Sequence, residues 1–234
     1  MVRDDIVACL EAMGLQTTAA QLDALVIHAT MLVEANTHLN LTRITMDEDV
    51  ALLHVADSLT ILPLLRSAPP GAFADLGSGG GYPGIPLGIM SGRHLTLVES
   101  RGKKAEFLQG VIDEIVLDAD VRPVRAEELA VTKRGAYAAV VARALAPLES
   151  LVELAAPLLE RGGLLIAMKG LPGVEELDAG DAAGAVVGLK RTGTLGVELP
   201  GATAERTIVS YVSVAGPKIR LPRRPGMAQR HPLA

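Results

Sequence analysis

Apolar residues recur at helical spacing through the first third of the chain. Ile6, Val7, Leu10 and Met13 form one stripe, which stops at Gly14. Leu22, Leu25, Val26, Ala29, Leu32 and Val33 form a second within residues 18–39. After the polar segment 36–42, Thr45 or Asp47 can cap a third helix running past Val50, Leu53, His54 and Asp57 towards Leu65. Pro69-Pro70-Gly71 ends this part. The pattern then changes. Short apolar runs at 72–76, 95–99, 121–124, 138–142 and 164–168 read as strands, with helical stretches at 103–117 and 147–160. Strands alternating with helices predict parallel βαβ units and a sheet covered on both faces. After Gly180, residues 185–197 and 207–214 are β-rich with no helix of useful length between them. They predict a closing hairpin and an antiparallel last strand. The expected organisation is an N-terminal helical extension over 1–68, packed on an α/β catalytic domain over 69–234 that ends in a basic tail.

Composition narrows the class. Of 234 residues, 49% are hydrophobic and 21% charged, which excludes a disordered chain. No stretch approaches the ~18 uninterrupted apolar residues of a membrane span. Asp4 and Asp5 stand where a secretory signal needs a basic start and an apolar run. The single cysteine, Cys9, excludes an internal disulfide and an all-cysteine zinc site, and nothing resembles another metal site. The expectation is a cytoplasmic, monomeric protein that holds no metal and meets no membrane. The net charge of -5 conceals an asymmetry: Lys218, Arg220, Arg223, Arg224 and Arg230 fall after residue 216, with no acid among them. A basic tail on an acidic body suits a polyanionic partner, although a solvated tail has the same composition. Aromatics at 2%, with no Trp, make base-stacking platforms a poor fit.

The densest signal is Asp75-Leu76-Gly77-Ser78-Gly79-Gly80-Gly81-Tyr82-Pro83-Gly84, between a strand and a helix. Glycines let backbone turn sharply and approach a ligand without Cβ atoms, as suits a nucleotide-like ligand at the carboxyl edge of the first strand. The loop lacks the Gly-Lys-Ser/Thr end of a P-loop. Ser78 does not fit a Gly-x-Ser-x-Gly elbow. His54, Asp57 and Ser58 sit within two turns of one helix and read as its polar face rather than as a hydrolase site. Glu99 closes the second strand, where a carboxylate can accept both hydroxyls of a ribose; a dinucleotide site uses the same acid. Asp75 separates the two ligands. At the loop entrance it would repel a pyrophosphate but suits an ammonium group, met directly or through water. S-adenosylmethionine has an adenosine, a sulfonium and an amino-acid end, with no phosphate.

Asp-x-Gly-x-Gly followed by a second-strand acid resembles the S-adenosylmethionine-dependent methyltransferases of Rossmann-like fold, whose seven-stranded, mostly parallel sheet has an antiparallel last strand. The likeness extends further. Asn40-Leu41-Thr42, His54-x-x-Asp57-Ser58, the loop from Asp75 to Pro86, Lys103-Lys104-x-x-Phe107-Leu108, Ala142-Arg143-Ala144 and Met168-Lys169-Gly170 occur in this order. Together, over residues 36–230, they resemble the RsmG (GidB) family. That resemblance implies methylation of N7 of a guanine in 16S rRNA, with S-adenosylmethionine as cofactor and the 16S rRNA or the small-subunit particle as partner. It also implies cofactor contacts at Gly77, Tyr82, Ala126, Glu127 and Arg143, beside Asp75, Gly79 and Glu99 from the loop reading. Tyr82 stands where the family often has a smaller apolar residue, so a backbone contact is expected there.

Candidate RNA contacts are Lys103 and Lys104, placed at a helix start where the dipole disfavours cations, Lys169 at the sheet's carboxyl edge, and Arg223 and Arg224 in the tail. Arg143 is a lone charge in an Ala-rich run, costly to bury unpaired, and is expected to point into a cleft. Positive charge moves from sulfur to the guanine ring during transfer, which makes Asp57 the candidate catalytic carboxylate. Three alternatives remain. An NAD-type oxidoreductase is disfavoured by Asp75 and by the lack of a separate substrate domain. A non-catalytic assembly factor is disfavoured by the intact loop and acids. A small-molecule methyltransferase is the nearest rival.

Overall fold

The computed structural model of the chain describes residues 2–199 and 206–234. Two helices, α1 (Val2–Ala12) and α2 (Ala19–Leu39), carry the first two apolar stripes. A reciprocal capping box starts α2: Gln21 N–H donates to Thr18 Oγ1, and Thr18 N–H to Gln21 Oε1. Asn40, in the left-handed region at φ 49°, ends it.

The predicted third helix is broken into pieces. These are α3 (Asp47–Val50), a π-helical stretch (Ala51–Ala56), α4 (Asp57–Leu59) and, after a turn, α5 (Leu62–Ser67). Pro63 lacks an N–H and sits in the first turn of α5, where none is needed. The π-helical stretch contains His54 and leads directly into Asp57, and such widened turns cluster at functional sites. Asp47–Ser67 is long and apolar enough to cross a membrane, but most of its apolar window is buried inside the protein.

The remaining elements follow in chain order: β1 (Phe73–Leu76), α6 (Gly84–Ser91), β2 (Leu95–Val98), α7 (Gly102–Glu114), β3 (Ala119–Arg122), α8 (Ala126–Thr132), β4 (Tyr137–Arg143), α9 (Leu148–Ala155), β5 (Leu159–Lys169), α10 (Val174–Val187), β6 (Leu189–Val197), β7 (Arg206–Ser213) and α11 (Met227–Arg230). One seven-stranded sheet has the order β3-β2-β1-β4-β5-β7-β6. Strands β1 to β5 are parallel, and β7 runs antiparallel between β5 and β6. Strand order reverses between β1 and β4, which opens a crevice at their carboxyl ends.

Residues 185–187 correct the sequence reading, because they end helix α10 rather than begin a strand. Gly180 and Gly184 weaken the helical pattern for a packing reason. A Cβ at Gly180 would stand 2.5 Å from Tyr211 Oη, and one at Gly184 2.7 Å from the Leu189 carbonyl. The glycines let α10 lie against the sheet.

The N-terminal helices share one core with a face of the sheet, where Ile6, Leu25, Leu32 and Val55 pack in the same cluster as Phe73, Ile85 and Ile166. On the other face α8, α9 and α10 cover Val140, Leu165 and Tyr211. The basic tail is packed as well. Leu221 and Ala228 are buried. Arg223 is committed to the fold: its guanidinium clamps the Glu153 carboxylate and donates to the His231 carbonyl at 2.8 Å. It is not a free phosphate ligand, which corrects the reading from charge alone. Arg224, next to it, is exposed.

Candidate functional site

The glycine loop leaves β1 at the crevice and is stitched to the end of β2. Gly77 N–H donates to the Val98 carbonyl at 2.9 Å, and Ser78 Oγ accepts from Val98 N–H at 3.0 Å. Glu99 holds the other side of the loop. Its Oε2 accepts from Gly79 N–H at 3.1 Å, and its Oε1 from Arg101 N–H at 2.8 Å. The resulting cleft is about 430 Å³, lined among others by Gly77, Gly79, Glu99, Ala126, Glu127 and Leu145. Five of the residues expected to touch the cofactor thus meet in one place.

The lining suits an adenosyl amino acid. Apolar walls come from Val98, Val124, Leu145 and Leu154, and two carboxylates stand among them. A Cβ at Gly77 would overlap Leu145 Cδ1 at 2.6 Å, so backbone alone fits that wall. Lys104, expected to meet RNA, lines this cleft, whereas Lys103 is exposed on α7.

Three expected cofactor residues lie elsewhere. Asp75 is 1% exposed and is not part of the cleft lining; its Oδ2 accepts from Gly84 N–H at 3.1 Å and so ties β1 to the start of α6. Burial pushes its carboxyl up to about 7, against the pull of that N–H. Tyr82 turns its ring into the core, sandwiched between His28 and His54 at centroid distances of 4.3 and 4.7 Å. Arg143 lines a second pocket.

That pocket, about 500 Å³, adjoins the first cleft at Ala144, which lines both. Ala144 follows Arg143 at φ 53°, so the chain turns sharply where the cavities meet. Its walls include Arg43, Leu53, His54, Met168, Lys169 and Arg206. Asp57 lies at its base, 1% exposed, between Arg143 Nη1 at 2.7 Å and Arg206 Nε at 3.0 Å. Arg143 also donates to the Leu53 carbonyl and to His54 Nδ1 at 3.1 Å.

A guanidinium can only donate, so Nδ1 of His54 accepts and its Nε2 carries the proton, donating to Thr42 Oγ1 at 2.9 Å. Burial, then the Arg143 charge, pushes His54 down to about 3. Lys169 is paired with Glu176 at 2.6 Å. Sequence reasoning missed Arg43, Arg206 and the roles of both histidines. Their spacing carries no motif, and the Arg206–Asp57 pair spans 149 residues. Among the described residues no group of three or more metal-binding side chains occurs.

These buried groups set an acid dependence of stability. Burial pushes His28 down to about 4. Between about pH 4.5 and 6 the folded histidines stay neutral, so unfolding takes up nearly two protons; Asp75, protonated in the fold and ionised when unfolded, releases nearly one. The net uptake of one proton means that these three groups raise stability with pH by ~1.4 kcal/mol per unit. Asp75→Asn removes the offset and should double that slope. Urea denaturation from about pH 4.5 to 6 reads both slopes. Equal slopes in the two proteins would show that Asp75 is ionised in the fold.

Sheet order, glycine loop and second-strand acid define the class, a Rossmann-like methyltransferase. A solved geranyl diphosphate methyltransferase in complex with S-adenosylmethionine shares this fold at TM-score 0.54, with 14% identity over 71% of this chain and 90% of that one. The GidB family model, described as rRNA small subunit methyltransferase G, matches residues 21–201. The chain belongs to this family. The ribosomal RNA small subunit methyltransferase G of Lactobacillus helveticus is 36% identical over 92% of each chain. That of Rubrobacter xylanophilus is 38% identical over 96% of this chain and 88% of its own. Membership sets aside the oxidoreductase reading.

Proposed function

We propose that the protein transfers the methyl group of S-adenosylmethionine to N7 of a guanine in 16S rRNA, acting as a cytoplasmic monomer on the RNA or the small-subunit particle. The observation that carries this reading is the pair of cavities meeting at Ala144, one suited to an adenosyl amino acid and the other cationic and apolar. In the first, the backbone of Gly77 and Gly79 would face the ligand, Glu99 would take the ribose hydroxyls, and Ala126 and Glu127 would meet the adenine. The bound cofactor supplies an electrophilic methyl on a sulfonium.

The second pocket favours a nucleophile that has no proton to lose. His54 and Asp57 are the proton acceptors among its described lining residues, and both are committed, His54 as acceptor from Arg143 and Asp57 between two guanidiniums. N7 of guanine has an in-plane lone pair and is unprotonated at neutral pH, whereas an exocyclic amine or a hydroxyl needs a base. Asp57 therefore acts by positioning Arg143 and Arg206. Leu53 and Met168 offer apolar walls to the base, and Arg43 offers positive charge to the phosphates beside it, with Arg206 and Lys169 held at the rim by Asp57 and Glu176. Holding the nitrogen in line with the methyl can supply ~7–11 kcal/mol of the barrier. The base must be exposed or extruded to reach the pocket. Lys103 and Arg224 extend the phosphate-facing surface.

Mass mapping of methylated nucleosides in 16S rRNA, from cells with and without this protein, tests the reading. One N7-methylguanosine should disappear with the protein. An unchanged map overturns the assignment.

A further inference from the structure

The basic C-terminal segment bounds the cofactor cleft. Arg134 donates to the Leu221 carbonyl, Arg223 clamps Glu153, and Ser150 Oγ donates to the Ala228 carbonyl at 2.9 Å. Gly226 N–H donates to Glu127 Oε1 at 2.6 Å, a charge-assisted bond to an acid that itself lines the cleft. Helix α9, which supplies Ser150 and Glu153, contributes Leu154 to the same lining. The segment thus lies as a strap over the Ala126–Glu127 side. The residue after buried Ala228 is Gln229, which is exposed and is part of the cleft lining.

We propose that Gln229 is a cofactor-contact residue, with the strap 221–231 forming the outer wall of the adenine end of the site. This rests on the reading of the cleft as the cofactor site and extends it to residues that no motif marks. A primary amide carries one acceptor and two donors on a short arm. It can pair with the edge of an adenine, which presents an amino donor beside a ring-nitrogen acceptor. Glu127 then has two tasks. One oxygen holds the strap through Gly226, and the other remains for the ligand. Cofactor binding and strap closure are coupled through that carboxylate, since a ligand on the cleft side restrains the group that anchors the strap.

The test uses the full-length protein and S-adenosylhomocysteine. Calorimetry on the wild type and on Gln229→Ala should show about tenfold weaker binding in the variant, the loss expected for a pair of hydrogen bonds between neutral groups. The melting temperature without ligand should be unchanged, because the residue is exposed. Hydrogen exchange gives an independent reading: the Gly226–Arg230 amides should exchange more slowly when S-adenosylhomocysteine is bound. Equal affinities in the two proteins, or strap amides that ignore the ligand while the wild type binds it, overturn the assignment and leave the proposed methyl transfer standing. No binding by the wild type overturns both.

Discussion

Gly79→Val is expected to abolish binding of S-adenosylhomocysteine while the protein remains folded. Gly79 sits at φ 55°, in the left-handed region, and lines the cofactor cleft. An added Cβ would meet only the Gly77 carbonyl oxygen, at 3.8 Å, so the protein around it has room. The space it enters is the cleft. A β-branched residue held in this conformation costs roughly 1–2 kcal/mol, within the margin of a typical domain. Its methyl groups also stand beside the N–H that Glu99 accepts. Affinity should fall at least about a hundredfold, as two methyl groups exclude a ligand that needs backbone contact. Calorimetry together with circular dichroism reads both halves. Undiminished binding in the folded variant would mean that the loop is only a tight turn.

Asp57→Ala should have the largest effect on stability. The carboxylate is buried and takes one guanidinium on each oxygen, Arg143 on one side and Arg206 on the other. Removing one partner of a buried ion pair costs about 3–5 kcal/mol, and the lower end applies here because both guanidiniums keep a face in the pocket. That is a large share of a domain's 5–15 kcal/mol. Asp57→Asn keeps the shape and should fall between Ala and wild type. In both variants methyl transfer to RNA should collapse, while S-adenosylhomocysteine affinity in the folded Asn protein stays within about twofold, since Asp57 is not part of the cofactor cleft. An unfolding free energy from urea titration within about 1 kcal/mol of wild type for Asp57→Ala would show that the two guanidiniums do not depend on this carboxylate.

The parts of this protein legible in its sequence are those whose cause is local. The strand–loop–helix around Asp75 follows from four glycines after an apolar run, and Glu99 follows from its place at the next strand's end. Parallel pairing of β1 to β5 follows from alternation with helices. What escaped depends on distant partners. Arg223 looks the same in composition whether it is solvated or clamped by Glu153, 70 residues away. The π-helical turn carries no Pro or Gly to announce it. Helix α10 escapes the pattern because Gly180 and Gly184 serve its neighbours Tyr211 and Leu189 rather than its own propensity. Asp75, read from the sequence as meeting the ligand, ties β1 to α6 instead of lining the cleft.

The two cavities also draw on the whole length of the chain. The pocket at Arg143 needs Arg43 and Asp57 from the first quarter and Arg206 from much later in the chain, and the cleft at the glycine loop takes walls from Gly77 to Gln229. During synthesis the N-terminal helices emerge first, yet their inner faces share a core with strands made later. A nascent chain stalled before β7 has neither Arg206 to complete the pocket nor the strap to wall the cleft. Catalytic competence is thus acquired only once Arg206 and the strap 221–231 have left the ribosome.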